Sequence, residues 1–594
     1  MREEIDAACV DNSPGDAEVS PQGAGDVTAR VSGLGVLAAL GAALSACGGG
    51  GGGGSSGGSS SGGGGVITPV LNYTDTEAAR FLLQAQFTAK SDEILAVRTQ
   101  GYSAWLSAQF SAASTQTATA WLDSRSLNVP TPAGEYFDPT MGDWMSWRMM
   151  MTGADQVRKR FSLALSEMMV ASLSPIDGFY PPYVIGAYWD LLNANVFGNF
   201  RTLLEKVTLN AAMGFFLNTK GNLKEDPATG REPDENYARE VMQLFTIGLY
   251  QLNNDGSDKT DLSGNKIETY VQADITNLAH VFTGYDWDYS NVTQQTVAWL
   301  PYPVPTTQFA TNPMSFDASK HSNLAVTFLG TTIPANTPGA TALKTALDTL
   351  FNHPNVGPFF ARQMIQRLVT SNPSPAYINR VANAFNNNGS GTRGDLKAVW
   401  TAILTDTEAR TLPTGVNAGK LREPVVRWAQ WARTFPVSST TGKWEVYDTS
   451  ASDWGLGQSP LRSPSVFNFF RPGYVPPQTA IADAGQVAPE FQLHNETTTA
   501  GYINFMATTI EQGYNDVKPD YSDLYAIVTD SQAMVDWLDL HLTASQLSTA
   551  TKTAVKAALD SVAVTASSSD TVKYNRIHAA VMLVMCCPEY LIQK

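Results

Sequence analysis

Apolar residues recur with a period of 3.6 along almost the whole chain from Val66 onward, and this spacing restricts the fold more than any other property of the sequence. Ala79, Leu82, Leu83 and Phe87 fall on one side of a helix over 76–86. Val157, Phe161, Leu165, Met168 and Met169 do so over 156–173, and Leu203, Leu204, Val207 and Ala211 over 199–217. The same reading predicts helices at 235–249, 274–282, 342–351, 356–370, 376–385, 395–406, 421–434, 533–541, 544–561 and 572–586. Strand signals concentrate in 250–270, where Asn254-Asp255-Gly256 and Ser263-Gly264-Asn265 mark the turns of one or two short β-hairpins. Prolines gather at 302–313 and 472–477, which read as loops. The expected fold class is mainly α: a single large multi-helix domain over 66–594 with long Pro-rich loops, or two lobes meeting near 290–340.

The first 65 residues fall outside that pattern. Leu34–Leu44 is apolar, too short to cross a bilayer and of the length of a signal-peptide core. It runs into Leu44-Ser45-Ala46-Cys47, the form of a bacterial lipobox, whose cysteine thiol takes a diacylglycerol and becomes the first residue after cleavage. Residues 1–46 therefore read as a signal peptide and Cys47 as a lipidation site. The glycines and serines of 48–65 complete a flexible tether. The stretch 1–29 carries seven acids against Arg2, where a signal peptide needs a basic start, so translation is expected to begin internally, at a non-ATG codon for Val27. Gly48 stands where an Asp would favour retention in the inner membrane. The expected location is the outer membrane or cell surface, held by acyl chains. Cys586 and Cys587 are adjacent and are expected to be packed thiols.

A formal net charge of −16 argues against a nucleic-acid partner, which requires a basic face. Charged residues make up only 16% of the chain, so those that interrupt apolar helices need partners if buried. Glu235 and Arg239 are four apart and can pair, while Asn236, Glu240 and Gln243 form a second polar stripe. Glu235 and Glu240 lie about 140° apart on a helix, so a catalytic carboxylate pair would need a second acid from elsewhere, such as Glu167. His321 follows Asp317 by four and completes the catalytic candidates: Glu235, Glu240, Glu167 and His321. Binding candidates are Asn236, Arg239, Arg362, Arg367, Arg422, Glu423 and Arg427. The arginines are expected to pair with Glu235, Glu240 and Glu423; the alternative is an arginine-lined pocket for a carboxylated or sulfated glycan. No histidine or cysteine spacing suits a metal, and Asp255, Asp258 and Asp261 depart from a calcium loop, so neither metal nor cofactor is expected.

Several segments share an order. Ala79-Arg80-Phe81-Leu82-Leu83-Gln84-Ala85 comes first, and Pro233-Asp234-Glu235-Asn236-Tyr237-Ala238-Arg239-Glu240 follows with Leu244-Phe245-Thr246-Ile247-Gly248. After Phe282-Thr283-Gly284 and His353-Pro354-Asn355-Val356 come Arg367-Leu368-Val369-Thr370-Ser371-Asn372-Pro373, Lys420-Leu421-Arg422-Glu423-Pro424 and Pro464-Ser465-Val466-Phe467-Asn468-Phe469. Together they resemble the bacterial family called domain of unknown function 1800, over most of 75–480. The resemblance implies an exported, largely helical protein encoded beside an exported sulfatase-like protein, its expected partner; it implies no known activity. Ser322 and Val326 replace the acid and the lysine that many members carry there, which weakens any metal site built on those positions. Two functions follow. One is a cell-envelope lipoprotein that serves surface assembly or binds a partner or glycan. The alternative is an envelope hydrolase or lyase acting on an extracellular polysaccharide through a Glu/Arg site.

Overall fold

Thr74 opens the first described helix, Asp75–Ala85: its hydroxyl accepts from the Glu77 amide, and the Glu77 carboxylate accepts from the Thr74 amide. The computed structural model describes residues 73–594 apart from 133, 135, 416 and 417. The signal peptide, Cys47 and the tether lie outside the described residues. The fold is mainly α, and the described residues belong to one compact unit with no division at 290–340.

Its centre is the helix Pro181–Asn195, buried on nearly every side. Ala118–Ser124, Thr140–Met151, Gln156–Ser166 and Ala211–Phe216 pack around it. Val356–Leu368 lies against Gln156–Ser166 and, on another side, against Pro375–Asn386, which in turn meets Leu396–Thr405. Pro424–Thr434 packs on Thr140–Met151, and Asp570–Met585 on Glu496–Gln512.

Two expected helices are shorter than their apolar pattern. The 156–173 pattern is helical only to Ser166, and Glu167 caps its end. The 199–217 pattern divides into Phe200–Thr208 and Ala211–Phe216, because the Asn210 side chain accepts from the amides of Ala212 and Met213 and so starts a new helix.

The sheets are two-stranded. Gln294–Gln295 with Val304–Pro305 and Val326–Phe328 with Thr331–Ile333 are local hairpins, whereas Lys420–Leu421 pairs antiparallel with Ile592–Gln593, near the opposite end of the described chain. The 250–270 segment folds back on itself through single bridges, Tyr250 to Glu268, Leu252 to Asp258 and Thr260 to Lys266. Its three aspartates are used separately: Asp255 caps Ser257, Asp258 pairs with Lys266 at 2.9 Å, and Asp261 caps Ser263 and Asn265.

Candidate functional site

The charge most deeply buried lies where the ends of three helices meet. Glu167 follows Gln156–Ser166, Arg367 is near the end of Val356–Leu368, and Glu423 precedes Pro424–Thr434. Arg367 Nε lies 3.4 Å from Glu167 Oε2, and its Nη2 donates to the Glu167 carbonyl at 2.8 Å. Its Nη1 donates to Gln363 Oε1 at 2.7 Å. The Arg367 carbonyl accepts from Arg160 Nη2 at 2.7 Å and from Lys420 Nζ at 2.8 Å. Lys420 also pairs with Glu490 Oε1 at 2.9 Å, and Gln458 donates to Glu423 Oε2 at 2.8 Å. Glu167, Arg367, Lys420, Glu423 and Glu490 are all buried.

Glu167 and Glu423 are two buried carboxyls that act on one another in opposite directions. Burial, the neighbouring Glu423 charge and the hydrogen bond to it push the Glu167 carboxyl well above its ordinary range, against the pull of Arg367 and Arg160. Burial works to raise Glu423 too, but the hydrogen bond from Glu167, with Lys420, Arg160 and Gln458, outweighs it and holds Glu423 low. Both Glu167 carboxyl oxygens and Glu423 Oε1 are buried and take no hydrogen bond from another group. The cavity beside Glu167, lined by Ser166, Gln458, Ser459, Ser463 and Asn468 among others, measures about 10 Å³, room for one water. No polymer reaches these acids through it.

The arginine pairing expected from the sequence is different in the structure. Arg367 takes Glu167 as its carboxylate. Arg362 donates to the Gly256 carbonyl and braces the Asn254–Gly256 turn. Arg422 donates to the Leu542 carbonyl at 3.4 Å and lies 4.6 Å over Tyr590. Arg427 donates to the Arg422 carbonyl and lies 4.8 Å over Tyr502, so it does not pair with Glu423. Buried guanidinium groups satisfied by carbonyls and ring faces do not form an anion pocket.

The other candidates lie in separate surroundings. Glu235 caps Asn236–Gln243, pairs with Arg239 at 3.3 Å, and accepts from Gln272 Nε2 at 2.8 Å and Thr276 Oγ1 at 2.6 Å. It ties that helix to Gln272–Ala279. The Asn236 amide donates to Asp234. Glu240 is buried with Oε2 unpartnered, and burial, opposed by Arg239, pushes its carboxyl up to about 7. His321 Nδ1 lies 2.9 Å from the Thr283 carbonyl and 3.1 Å from its hydroxyl. His321 and His280 line a second cavity of about 10 Å³. Among the described residues no three His, Cys, Asp or Glu side chains gather as a metal site. Cys586 and Cys587 are free thiols, both pushed up to about 12 by burial.

A larger cleft, about 340 Å³, adjoins the charged centre along the chain. Val369, Thr370 and Asn372 follow Arg367; Ala418 and Gly419 precede Lys420; Gln486 precedes Glu490; Arg80, Glu408, Pro413, Gly415 and Lys594 complete the lining. Each of the first three walls therefore lies a few residues along the chain from a member of the buried network. Arg80 Nε donates to the Lys594 carbonyl at 2.8 Å and Nη2 to the Thr411 carbonyl at 3.1 Å; burial, then Arg410, lowers it to about 10. Asn372 is spent on both backbone groups of Val487, at 2.8 and 2.9 Å. Glu408 accepts from the Ser374 amide at 2.9 Å and from its hydroxyl. Gln486 Oε1 has no partner. Sequence reasoning missed this site. Its one local signal was Arg80, a lone cation within the apolar run Ala78–Ala85.

The family model described as a protein of unknown function (DUF1800) matches residues 80–592, nearly the whole described chain, and the chain belongs to that family. No curated protein and no solved structure matches it.

Proposed function

We propose that this member of the unknown-function 1800 family is an exported, lipid-anchored envelope protein that binds a sugar unit of a surface polysaccharide in the 340 Å³ cleft without turning it over. The lining of the cleft carries this reading. Arg80 Nη1 and Lys594 supply donors, the Gln486 side chain and Glu408 supply polar partners, and Val369, Pro413 and Ala418 supply apolar faces. Sugar hydroxyls both donate and accept, so they require such a mixture. The volume lies within the range of small-ligand pockets. The buried ion network behind three of its walls holds them in place, so little conformational freedom is lost on binding. Lipobox, tether and export signal at 34–65 support the envelope setting. The acids Glu167 and Glu235 support binding over hydrolysis, because one is sealed in the core and the other is committed to a helix–helix tie.

Melting of the full chain against a panel of neutral and acidic oligosaccharides tests the proposal. A ligand at 100 times its Kd adds about 2.7 kcal/mol of stability. Gln486→Ala and Thr370→Val should remove the shift. A panel that stabilises neither the native chain nor the variants, or stabilises all equally, would defeat it. Hydrolysis or lysis is the second reading and rests on Glu240, whose carboxyl near 7 suits a general acid; release of reducing ends by the native chain and not by Glu240→Gln would establish it.

A further inference from the structure

We propose a second glycan-binding surface, an aromatic shelf that docks an uncharged polysaccharide chain and shares no residue with the cleft. The Gln294–Gln295 and Val304–Pro305 ladder supports a hairpin whose tip carries Trp299 and Tyr302. Both are exposed, at 40% and 47%. Their rings do not stand alone. Trp299 lies 5.9 Å from Tyr136, Tyr136 lies 4.3 Å from Phe137, Phe137 stacks on Phe179 at 5.3 Å, and Phe179 lies 6.2 Å from Tyr302. Five rings thus form one connected cluster between the hairpin and the loop preceding Pro181–Asn195, with Tyr136 buried beneath, Phe137 and Phe179 half-buried, and Trp299 and Tyr302 presented to solvent. The surface is held from below. The Tyr180 amide donates to the Tyr136 carbonyl at 2.8 Å, the Leu300 amide to the Val297 carbonyl at 3.1 Å, and Val304 and Phe309 are fully buried.

Charge selects the partner. From Tyr289 through Phe316 the chain has no Asp, Glu, Lys or Arg, and threonine, glutamine, serine and asparagine surround the aromatics. The flanking stretches 126–138 and 174–180 add acids, including Asp138 and the exposed Asp177, and no lysine or arginine. These stretches offer an anionic polymer no cation, and their acids repel it. A neutral polysaccharide needs neither: its ring C–H faces lie on aromatic planes and its hydroxyls meet amides and hydroxyls. Two exposed rings backed by a connected aromatic cluster mark an interaction surface.

Native electrophoresis of the full chain through gels containing a soluble β-glucan, a mannan, a xylan or a polyuronate tests this. At least one neutral polymer should retard the native chain, and the polyuronate should not. Trp299→Ala and Tyr302→Ala should each weaken retardation about tenfold, the factor produced by 1.4 kcal/mol of lost contact, with unchanged circular dichroism. Retardation by the polyuronate alone, by none of the polymers, or equally in the two variants would overturn the shelf. Failure here leaves the cleft reading intact, because the oligosaccharide melting shift depends on Gln486 and Thr370 and should persist in both variants.

Discussion

Glu423→Gln and Glu167→Gln are the same chemical change at two ends of one hydrogen bond, yet their costs should differ several-fold. Glu423 carries the charge of the pair. Neutralising it leaves Arg160, Arg367 and Lys420 buried with Glu490 as their remaining carboxylate, and uncompensated buried charge costs about 3–5 kcal/mol. Burial and Glu423 push Glu167 toward its neutral form, so an amide in its place should cost less, about 1 kcal/mol or less. A body of this size unfolds with an entropy of about 1.1 kcal/mol/K, so each kcal/mol moves the melting midpoint by about 1 °C. Calorimetry at pH 7 should lower the midpoint by about 3–5 °C for Glu423→Gln and by about 1 °C or less for Glu167→Gln. The pH dependence carries the same asymmetry. A carboxyl raised in the folded state contributes stability that is fully present below its unfolded value of about 4.3 and is lost as pH rises through the folded value. Glu167→Gln should therefore gain on the native chain as pH increases from about 4.3 upward. Equal costs at pH 7, or a larger cost for Glu167→Gln, would refute the opposite directions assigned to the two carboxyls.

Three further outcomes follow from the geometry. Glu240→Gln should melt on the order of 3 °C higher than the native chain at pH 8 and equally at pH 4, since the carboxyl raised to about 7 by burial loses its contribution across that interval. Glu235→Ala should cost about 1 kcal/mol in chemical denaturation, because the Glu235–Arg239 pair is partly exposed and the remaining loss is the bonds from Gln272 and Thr276. Gly419→Ala should lower the melting midpoint and abolish oligosaccharide stabilisation together: Gly419 has φ +104°, and an added Cβ would fall on the Gln593 carbonyl at the wall of the cleft.

Helices with one polar and one apolar side were legible. Asp75–Ala85, Val356–Leu368 and Asp570–Met585 lie close to their predicted spans. Pro181–Asn195 was not legible, although it is central, because a helix buried all round has no polar stripe to reveal its period. The break at Asn210 was present in the sequence as a capping residue inside an apolar pattern, and the pattern masked it. Charged residues behaved similarly. Glu167, Arg367, Lys420 and Glu423 stood out as charges in a chain poor in them, and burial confirmed that they needed partners. Which partner each took was not legible, because Arg367 and Glu167 are brought together across 200 positions and Glu490 lies in the single 3₁₀ turn Pro489–Leu493, too short to carry a periodic signal. The cleft is assembled from residues as distant as 80 and 594, so no local window contains it.

The ladder between Lys420–Leu421 and Ile592–Gln593 also sets the order in which the molecule can be completed. Leu421 emerges from the ribosome about 171 residues ahead of its strand partner Ile592, an interval of roughly 10–35 s at ordinary synthesis rates. Throughout that interval Lys420, the charged centre and the walls of the cleft lack a neighbour that no earlier segment supplies. A middle closed by so distant a segment cannot reach its final packing as it is made, so the charged centre is among the last parts of the described fold to set.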